Sequence, residues 1–389
     1  MSAQPIRVAQ VLEATAGGTR QYLMDVCLGL DPARFTQTAV VSCERDARFR
    51  EDIEALQAAG VGVFEVPMTR EVSPPRDLRA LRALRRHFRS HEFDIIHCHS
   101  SKAGMLGRIA AWLARSPAVR VYSPHAFAFV MDGGRLRRGV YTFLEWCAGR
   151  ITDLLVCTND SERRLALRAR IVAPGRALVV RTGVDLRRFH PGDESAGLRE
   201  ELGVPPQHRL VGAVGALVTQ KGHRYLVDAA PAVLERMPLT TFVIAGEGKL
   251  CGELEERISG LGLGRRLRLL GRRDDIPRLL ASLDLFVMPS LWEGLPYALL
   301  EAMATAVPVV GTAIPGLVDL IEPGRTGWLA DAASAESLAD AIVSALSAYG
   351  SSTVMAQAAR QRVLAEHSRE RMLEQLGAIY ERAAQERGR

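Results

Sequence analysis

The sequence predicts an α/β protein built as two doubly wound domains of parallel sheet that face each other across a cleft. Three observations carry this. The 389 residues exceed what one ordinary hydrophobic core organises. Short apolar runs alternate with segments of helical period along the whole chain, the pattern of parallel strands covered on both faces by helices. The alternation also falls into two series, separated by the polar stretch HPGDESAGLREELGVPPQH at 190–208, which reads as a linker.

In the first series, strands are expected at 6–12 (IRVAQVL), 37–42, 61–66, 93–99 (FDIIHCH), 119–123, 152–157 and 177–180. In the second they are expected at 209–217, 240–246, 266–271, 284–290 and 307–312. These runs are rich in Val, Ile, Leu and Phe, as strands buried on both faces should be. Between strands, RDLRALRALRRHF places Leu78, Leu81, Leu84 and Phe88 on one helical face. The domains are expected at 1–190 and 191–367, with a C-terminal helix of about 368–389 packing back on the first.

Apolar residues make up 48% of the chain and charged residues 24%, which places it among ordinary soluble globular proteins. The start, PIRVAQVL, reads as a strand rather than a signal peptide, and no segment is apolar for long enough to be expected to cross a membrane. Six cysteines without a C-x-x-C pair fit reduced thiols, hence a cytoplasmic location. Charge is uneven: residues 1–190 carry 29 basic and 19 acidic residues, net +10, and the remainder 21 and 25, net −4. A basic first half fits an acidic partner such as nucleic acid, anionic lipid or a phosphorylated substrate. Arginine outnumbers lysine 47 to 3, so the three lysines are informative. Lys102, Lys221 and Lys249 all lie in glycine-containing loops, where an exchangeable cation in such a chain would be arginine.

Ligands of open parallel sheets bind at the carboxyl ends of strands. The loops there are AGGTR (16–20), HSSKAG (99–104), SPHAFAF (123–129), GALVTQKG (215–222), AGEGK (245–249) and WEGLP (292–296). In MPSLWEGLPYALLEAM, Glu293 falls in a strand-to-helix turn, Pro296 at the first helical position, and Glu301 more than a turn into the helix. Such a turn offers backbone N–H groups to an anion. Carboxylates placed beside it suit something neutral, such as hydroxyl groups. Lys221, in a glycine-flanked turn after a strand, suits a phosphate. GALVTQKG is not a nucleotide-triphosphate loop, because Gln220 occupies the glycine position before the lysine. There is no G-x-G-x-x-G fingerprint, no D-x-D metal-diphosphate motif and no G-x-S-x-G elbow. His97 and His99 share a strand face without a neighbouring carboxylate, which favours a structural or substrate-contact role over a metal. A phosphate-binding helix start, a phosphate lysine and two hydroxyl-binding carboxylates together describe a nucleotide-diphosphate sugar.

The sequence resembles the retaining glycosyltransferases of family 4, which have the GT-B fold of two Rossmann-like domains, over almost its whole length. The most specific element is E-x7-E, here E-GLPYALL-E within PSLWEGLPYALLEAMATAVPVVGT. Supporting it are Gly17-Gly18, HSSKAG followed by GR, PHAF, GVDLRRF (183–189) and AGEG. The HSSKAG and PHAFAF pairing looks like enzymes that assemble capsular, exopolysaccharide or lipid-linked oligosaccharide units. The resemblance implies that Glu293 binds hydroxyls of the transferred sugar while the Gly294 and Leu295 N–H groups, at the turn ending in Pro296, meet the diphosphate. It implies that Glu301 holds the ribose and that Lys221 neutralises the departing diphosphate. His125 would contact the donor sugar. Gly17 and Gly18 would let their loop approach the substrates, as would Gly246 and Gly248 of AGEG. Arg272 is a candidate for the base pocket, and His99 and Lys102 for the acceptor side. Two positions depart from the family pattern: Ala216 stands where such enzymes commonly carry Arg, and Thr182 where Asn is usual.

The expectation is therefore a metal-independent retaining glycosyltransferase without a cofactor. It would move a sugar from a nucleotide donor, UDP-linked by preference, to a saccharide or lipid-linked saccharide acceptor. A nucleotide-sugar 2-epimerase on the same fold is the rival enzyme. A basic nucleic-acid-binding protein is the other rival, opposed by 6% aromatic residues and the lack of any nucleic-acid motif. Residues 76–89 and 135–146 mix arginines with apolar side chains, which adds an expected peripheral contact with an anionic membrane surface.

Overall fold

The computed structural model describes residues 4–69, 71–130, 134–192, 197–294 and 296–387. The chain divides into two compact units, residues 1–182 with 369–389, and residues 183–368. In the first, seven parallel strands lie in the order β3-β2-β1-β4-β5-β6-β7. They are β1 (Ile6–Leu12), β2 (Phe35–Val41), β3 (Gly62–Glu65), β4 (Ile95–His99), β5 (Val119–Ser123), β6 (Leu154–Cys157) and β7 (Ala177–Val179). In the second, β8 (Arg209–Val214), β9 (Thr240–Ala245), β10 (Leu267–Leu269), β11 (Leu285–Met288), β12 (Val309–Thr312) and β13 (Trp328–Ala330) lie in the order β10-β9-β8-β11-β12-β13. All are parallel, with helices in the crossovers, so each unit is doubly wound as the sequence predicts. Strand order reverses between β1 and β4 and between β8 and β11. A crevice opens at the carboxyl ends of those pairs, and that is where a ligand site belongs.

Each of the twelve expected runs contains a strand. The thirteenth, β13, is a three-residue edge strand whose Trp328 and Leu329 are only half-buried, so it left no apolar run to read. Of the expected linker, the described stretch 197–208 is not free. The helix Leu198–Glu201 lies within it, and Leu198, Leu202 and Val204 are buried in the core of the second unit. So are Val184 and Phe189, and the Val184 N–H donates to the His367 carbonyl at 2.8 Å, which places the division at Gly183 rather than 190. Too few apolar residues, set among too many charges, hid this packing. The terminal helix Arg369–Arg387 packs on the first unit through Met372, Leu376 and Tyr380, and Arg34 pairs with Glu381 at 2.7 Å.

At the opposite, amino ends of the sheets, one device recurs. An aspartate preceding a strand accepts the backbone N–H of the neighbouring strand and binds an arginine there. Asp94 takes the Arg7 N–H at 2.8 Å, Asp153 the Arg120 N–H at 2.8 Å and Asp284 the Leu210 N–H at 2.7 Å. The arginines are Arg7, Arg120 and Arg209.

The GR of the HSSKAG…GR segment is structural. In the helix Ser101–Leu113, Gly104 lies against the Tyr122 ring and Gly107 against the Cys98 sulfur, with no room for a Cβ at either. One turn on, Arg108 is fully buried. It binds Glu145 at 2.9 Å, donates to the Gly104 carbonyl and the Thr152 hydroxyl, and stacks on the Tyr122 ring, whose hydroxyl donates to the same carboxylate at 2.8 Å. Removing one partner of a buried pair strands the other charge, so Arg108→Met should cost about 3–5 kcal/mol. Urea denaturation followed by circular dichroism measures it, and Arg108→Met combined with Glu145→Leu should recover most of the loss.

Candidate active site

In the second unit the loops that leave β8 and β11 are stitched together. Gly222 has φ of +62°, and a Cβ there would collide with the Pro289 carbonyl, so glycine alone lets the turn Thr219–Lys221 press against the loop after β11. The Leu291 N–H donates to the Gln220 carbonyl at 2.8 Å, and the Gln220 side chain donates to the Trp292 carbonyl at 3.1 Å. The result joins two residues 72 positions apart: Lys221 Nζ binds Glu293 Oε1 at 2.7 Å. Ser290 Oγ donates to the same oxygen at 2.7 Å, and Thr312 donates to the Ser290 carbonyl. The Glu293 side chain is 3% exposed and that of Lys221 20%, so the pair lies at the rim with its cation toward solvent.

Glu301 is half-buried in the helix Tyr297–Ala304 that follows. Pro296 is the residue that caps this helix, one position earlier than the sequence pattern placed it; its carbonyl accepts the Leu299 N–H at 3.0 Å and the Leu300 N–H at 3.1 Å. Gly294 is buried in the turn, and Leu295 lies outside the described residues. The AGEG loop packs on the β8 loop because neither Gly246, against the Gly215 carbonyl, nor Gly248, against the Leu217 backbone, leaves room for a Cβ. Ala216 is exposed between them. Arg272 follows Gly271, whose carbonyl accepts the Gly246 N–H at 2.8 Å; it is exposed and paired with Asp274 at 3.2 Å, while Arg273 binds Asp275 at 2.6 Å. His223, which the sequence did not single out, opens the next helix, is buried, and donates from Nε2 to the Gly215 carbonyl at 3.3 Å. Burial and the neighbouring Lys221 charge hold its pKa at about 4, so it is neutral.

In the first unit the corresponding loops leave β1, β4 and β5. Gly17, at φ +60°, begins the helix Gly17–Gly29, and Gly18 is half-buried beside it. Glu13, buried just past β1, accepts the Ser100 hydroxyl from the loop after β4. His97 and His99 share one face of β4, their ring centroids 4.0 Å apart. His99 stacks on His125, and its Nδ1 lies 3.0 Å from His125 Nε2; the Tyr22 ring leans on both. His125 and Ala126 have φ of 53° and 94°, a left-handed turn that non-glycine residues adopt only under constraint. The constraint is Glu162, whose carboxylate accepts the Ala126 N–H at 2.9 Å and the Thr158 N–H at 2.8 Å. Burial pushes the His125 pKa down to about 3.

Lys102, the acceptor-side candidate, is already paired. It binds Asp77 at 2.6 Å and donates to the Glu71 carbonyl at 2.9 Å. Gln10, Glu13, Tyr22, Glu162, His223, Ser290 and Tyr380 are the site-forming residues that the sequence did not flag. Gln10 left a signal: a polar side chain inside a doubly covered strand must find partners. Among the described residues no group of three His, Cys, Asp or Glu is placed to hold a metal ion.

The chain has clear relatives. A family model described as "Glycosyl transferase 4-like domain" matches residues 17–183, and one described as "Glycosyl transferases group 1" matches residues 208–348. The chain is 36% identical over 288 residues to the UDP-Gal:alpha-D-GlcNAc-diphosphoundecaprenol alpha-1,3-galactosyltransferase of Escherichia coli, covering 73% of this chain and 74% of that one. It is 32% identical over 309 residues to the D-inositol 3-phosphate glycosyltransferase of Corynebacterium urealyticum, covering 74% and 71%. In fold it is similar to Anabaena HepE, solved in complex with UDP and glucose, with a TM-score of 0.81 at 22% identity over 96% of this chain and 99% of that one. WaaG, described as a glycosyltransferase involved in lipopolysaccharide biosynthesis, matches with a TM-score of 0.76 at 18% identity, over 96% and 99%. Its two doubly wound units and these matches make the chain a member of the family 4 glycosyltransferases, with the GT-B fold.

Proposed function

We propose that this glycosyltransferase moves a sugar from a UDP-linked donor to a lipid-linked saccharide, with retention of anomeric configuration and without a metal ion or cofactor. The observation that carries the reading is the Lys221–Glu293 pair at the β8/β11 switch point, a cation and a carboxylate 2.7 Å apart beside a helix start. The ammonium is the more exposed partner and suits the diphosphate. The carboxylate, fixed by Ser290, suits sugar hydroxyls, and Glu301 suits the ribose. The Escherichia coli relative, named for a UDP-galactose donor and a diphosphoundecaprenol-linked acceptor, supports the substrate class.

The acceptor hydroxyl attacks from the face the diphosphate is leaving, and the diphosphate takes its proton. Catalysis then rests on charge stabilisation and positioning. With Ala216 in place of an arginine, the exposed Lys249 of the AGEGK loop is a candidate cation to assist Lys221, beside Arg272 and Arg273, which pair with Asp274 and Asp275. In the first unit His125 is the candidate for substrate contact.

A membrane location for the acceptor fits one helix and not the other. Along Pro74–Ser90, Leu84 and Phe88 are buried on the sheet and only Leu78, at 45%, is exposed, so this stripe is core. The helix Arg135–Gly149 instead exposes Leu136 at 84% and Phe143 at 60%, together with Val140 and Leu144, next to Arg135, Arg137 and Arg138. Apolar side chains flanked by arginines match an anionic bilayer surface.

Four measurements test the reading. A panel of UDP-galactose, UDP-glucose, UDP-N-acetylglucosamine and GDP-mannose should show UDP release that depends on a lipid-linked saccharide acceptor. Inversion at C2 of UDP-N-acetylglucosamine without an acceptor would sink it in favour of the epimerase. Lys221→Ala should lower kcat with little change in KM, raising the barrier by about 2.7–4 kcal/mol, the loss typical of one transition-state donor. The Lys221→Ala, Glu293→Gln double variant should regain stability but not turnover. Calorimetry should find UDP binding to Glu301→Ala weaker by about 1.5–3 kcal/mol, the worth of a hydrogen bond to a charged group. Phosphatidylglycerol vesicles should co-sediment the protein at low salt. Zwitterionic vesicles should not, and Arg137→Glu with Arg138→Glu should reduce binding.

A further inference from the structure

Seven hydrogen-bonding groups of the first unit form an unbroken chain across its sheet, and one end of that chain has a fixed polarity. The Val156 carbonyl of β6 can only accept, so Ser123 Oγ, 2.8 Å away, donates its single proton there. Ser123 Oγ therefore accepts from His97 Nε2–H at 2.8 Å. Neutral His97 is left with a lone pair on Nδ1, which receives the Tyr380 hydroxyl proton at 2.6 Å. The Tyr380 oxygen then accepts from Gln10 Nε2 at 3.1 Å, which turns the amide so that Gln10 Oε1 accepts from His99 Nε2–H at 2.9 Å. His99 Nδ1, now a lone pair, accepts from His125 Nε2–H at 3.0 Å. Burial holds all three imidazoles neutral, with pKa values well below the usual range for His97 and His99. Each step thus leaves one tautomer for the next ring.

We infer that this chain fixes His125 as the Nε2–H tautomer and so presents its Nδ1 as a hydrogen-bond acceptor for a ligand hydroxyl, with Tyr380 of the C-terminal helix as the positioning residue. His125 Nδ1 is buried and has no partner among the described residues. An acceptor nitrogen there repels phosphate oxygens and welcomes an O–H group. That the O–H belongs to a sugar rests on the glycosyltransferase reading; the tautomer does not.

Tyr380 is the pin because the rest of the chain reverses without it. Gln10 also donates to Gln37 Oε1 at 3.1 Å, but Gln37 Nε2 is itself unpartnered, so the two amides can turn over together. The reversed pair would donate to His99 Nε2, His99 Nδ1–H would donate to His125 Nε2, and the His125 proton would move to Nδ1. Tyr380→Phe keeps the aromatic ring, and with it the edge contact that Tyr380 makes with Phe35, while removing only the hydroxyl.

The test is long-range proton–nitrogen correlation NMR on the ligand-free full chain, labelled with nitrogen-15 in histidine, with His125 assigned through His125→Gln. The native protein should show His125 with an unprotonated Nδ1 and a protonated Nε2, as a single form. Tyr380→Phe should convert this into a mixture with Nδ1 protonated, and Ser123→Ala, which frees the far end of the chain, should do the same. A native His125 carrying its proton on Nδ1 overturns the inference, as does a native-like single form in both variants. The measurement involves no substrate, so a failed sugar-transfer assay leaves it standing.

Discussion

A carboxylate held at 3% exposure has to be neutralised from within the protein, and at Glu293 the neutralising charge is Lys221. The other features of the second unit's site follow from that requirement. The lysine reaches the carboxylate only because Gly222 lets the β8 loop close on Pro289, and because Gln220 is bonded twice to the β11 loop. Two loops whose strands are neighbours in the sheet are thereby fixed as one surface. Among the described residues the ammonium has Glu293 as its ion-pair partner. An anion bound there would compete for the same charge, and so would redistribute an existing interaction instead of creating one from solvated groups.

The first unit solves the opposite problem. Gln10, His97, His99 and Tyr380, all uncharged, satisfy one another at the core of its sheet. Unpaired groups inside such a network are costly, and among its imidazole nitrogens in the described residues the one without a partner sits at the end, on His125. The strained turn at His125–Ala126 is held by Glu162, a buried carboxylate whose pKa burial raises even as the N–H groups it accepts pull it down.

Several arginines serve as architecture here. Arg7, Arg120 and Arg209 lie at the amino ends of the sheets and Arg108 within the first core, each paired with a nearby aspartate or glutamate. The few lysines divide by surroundings: Lys221 lies at the switch point, Lys102 is held by Asp77, and Lys249 is exposed. Rarity in the sequence marked all three, and only the neighbours separate them.

The sequence by itself determined the secondary structure and its class, because strand–helix alternation and continuous apolar runs are local consequences of burying both faces of a parallel sheet. It also located Glu293, Glu301, Lys221 and the glycine loops, since turns and helix starts have local signatures. The packing of 197–208 escaped it, as did the short edge strand β13, the solvent-facing arginine–apolar helix 135–149 as distinct from the buried stripe of 74–90, and the engagement of Arg272 and Lys102 by acidic neighbours. Each of these depends on which side of an element another element covers. The link from Tyr380 to Gln10 spans 370 residues of sequence and exists only because the C-terminal helix returns to the first sheet. A hydrogen bond requires its partners to be within about 3 Å, and at such separations only the tertiary structure decides which groups meet.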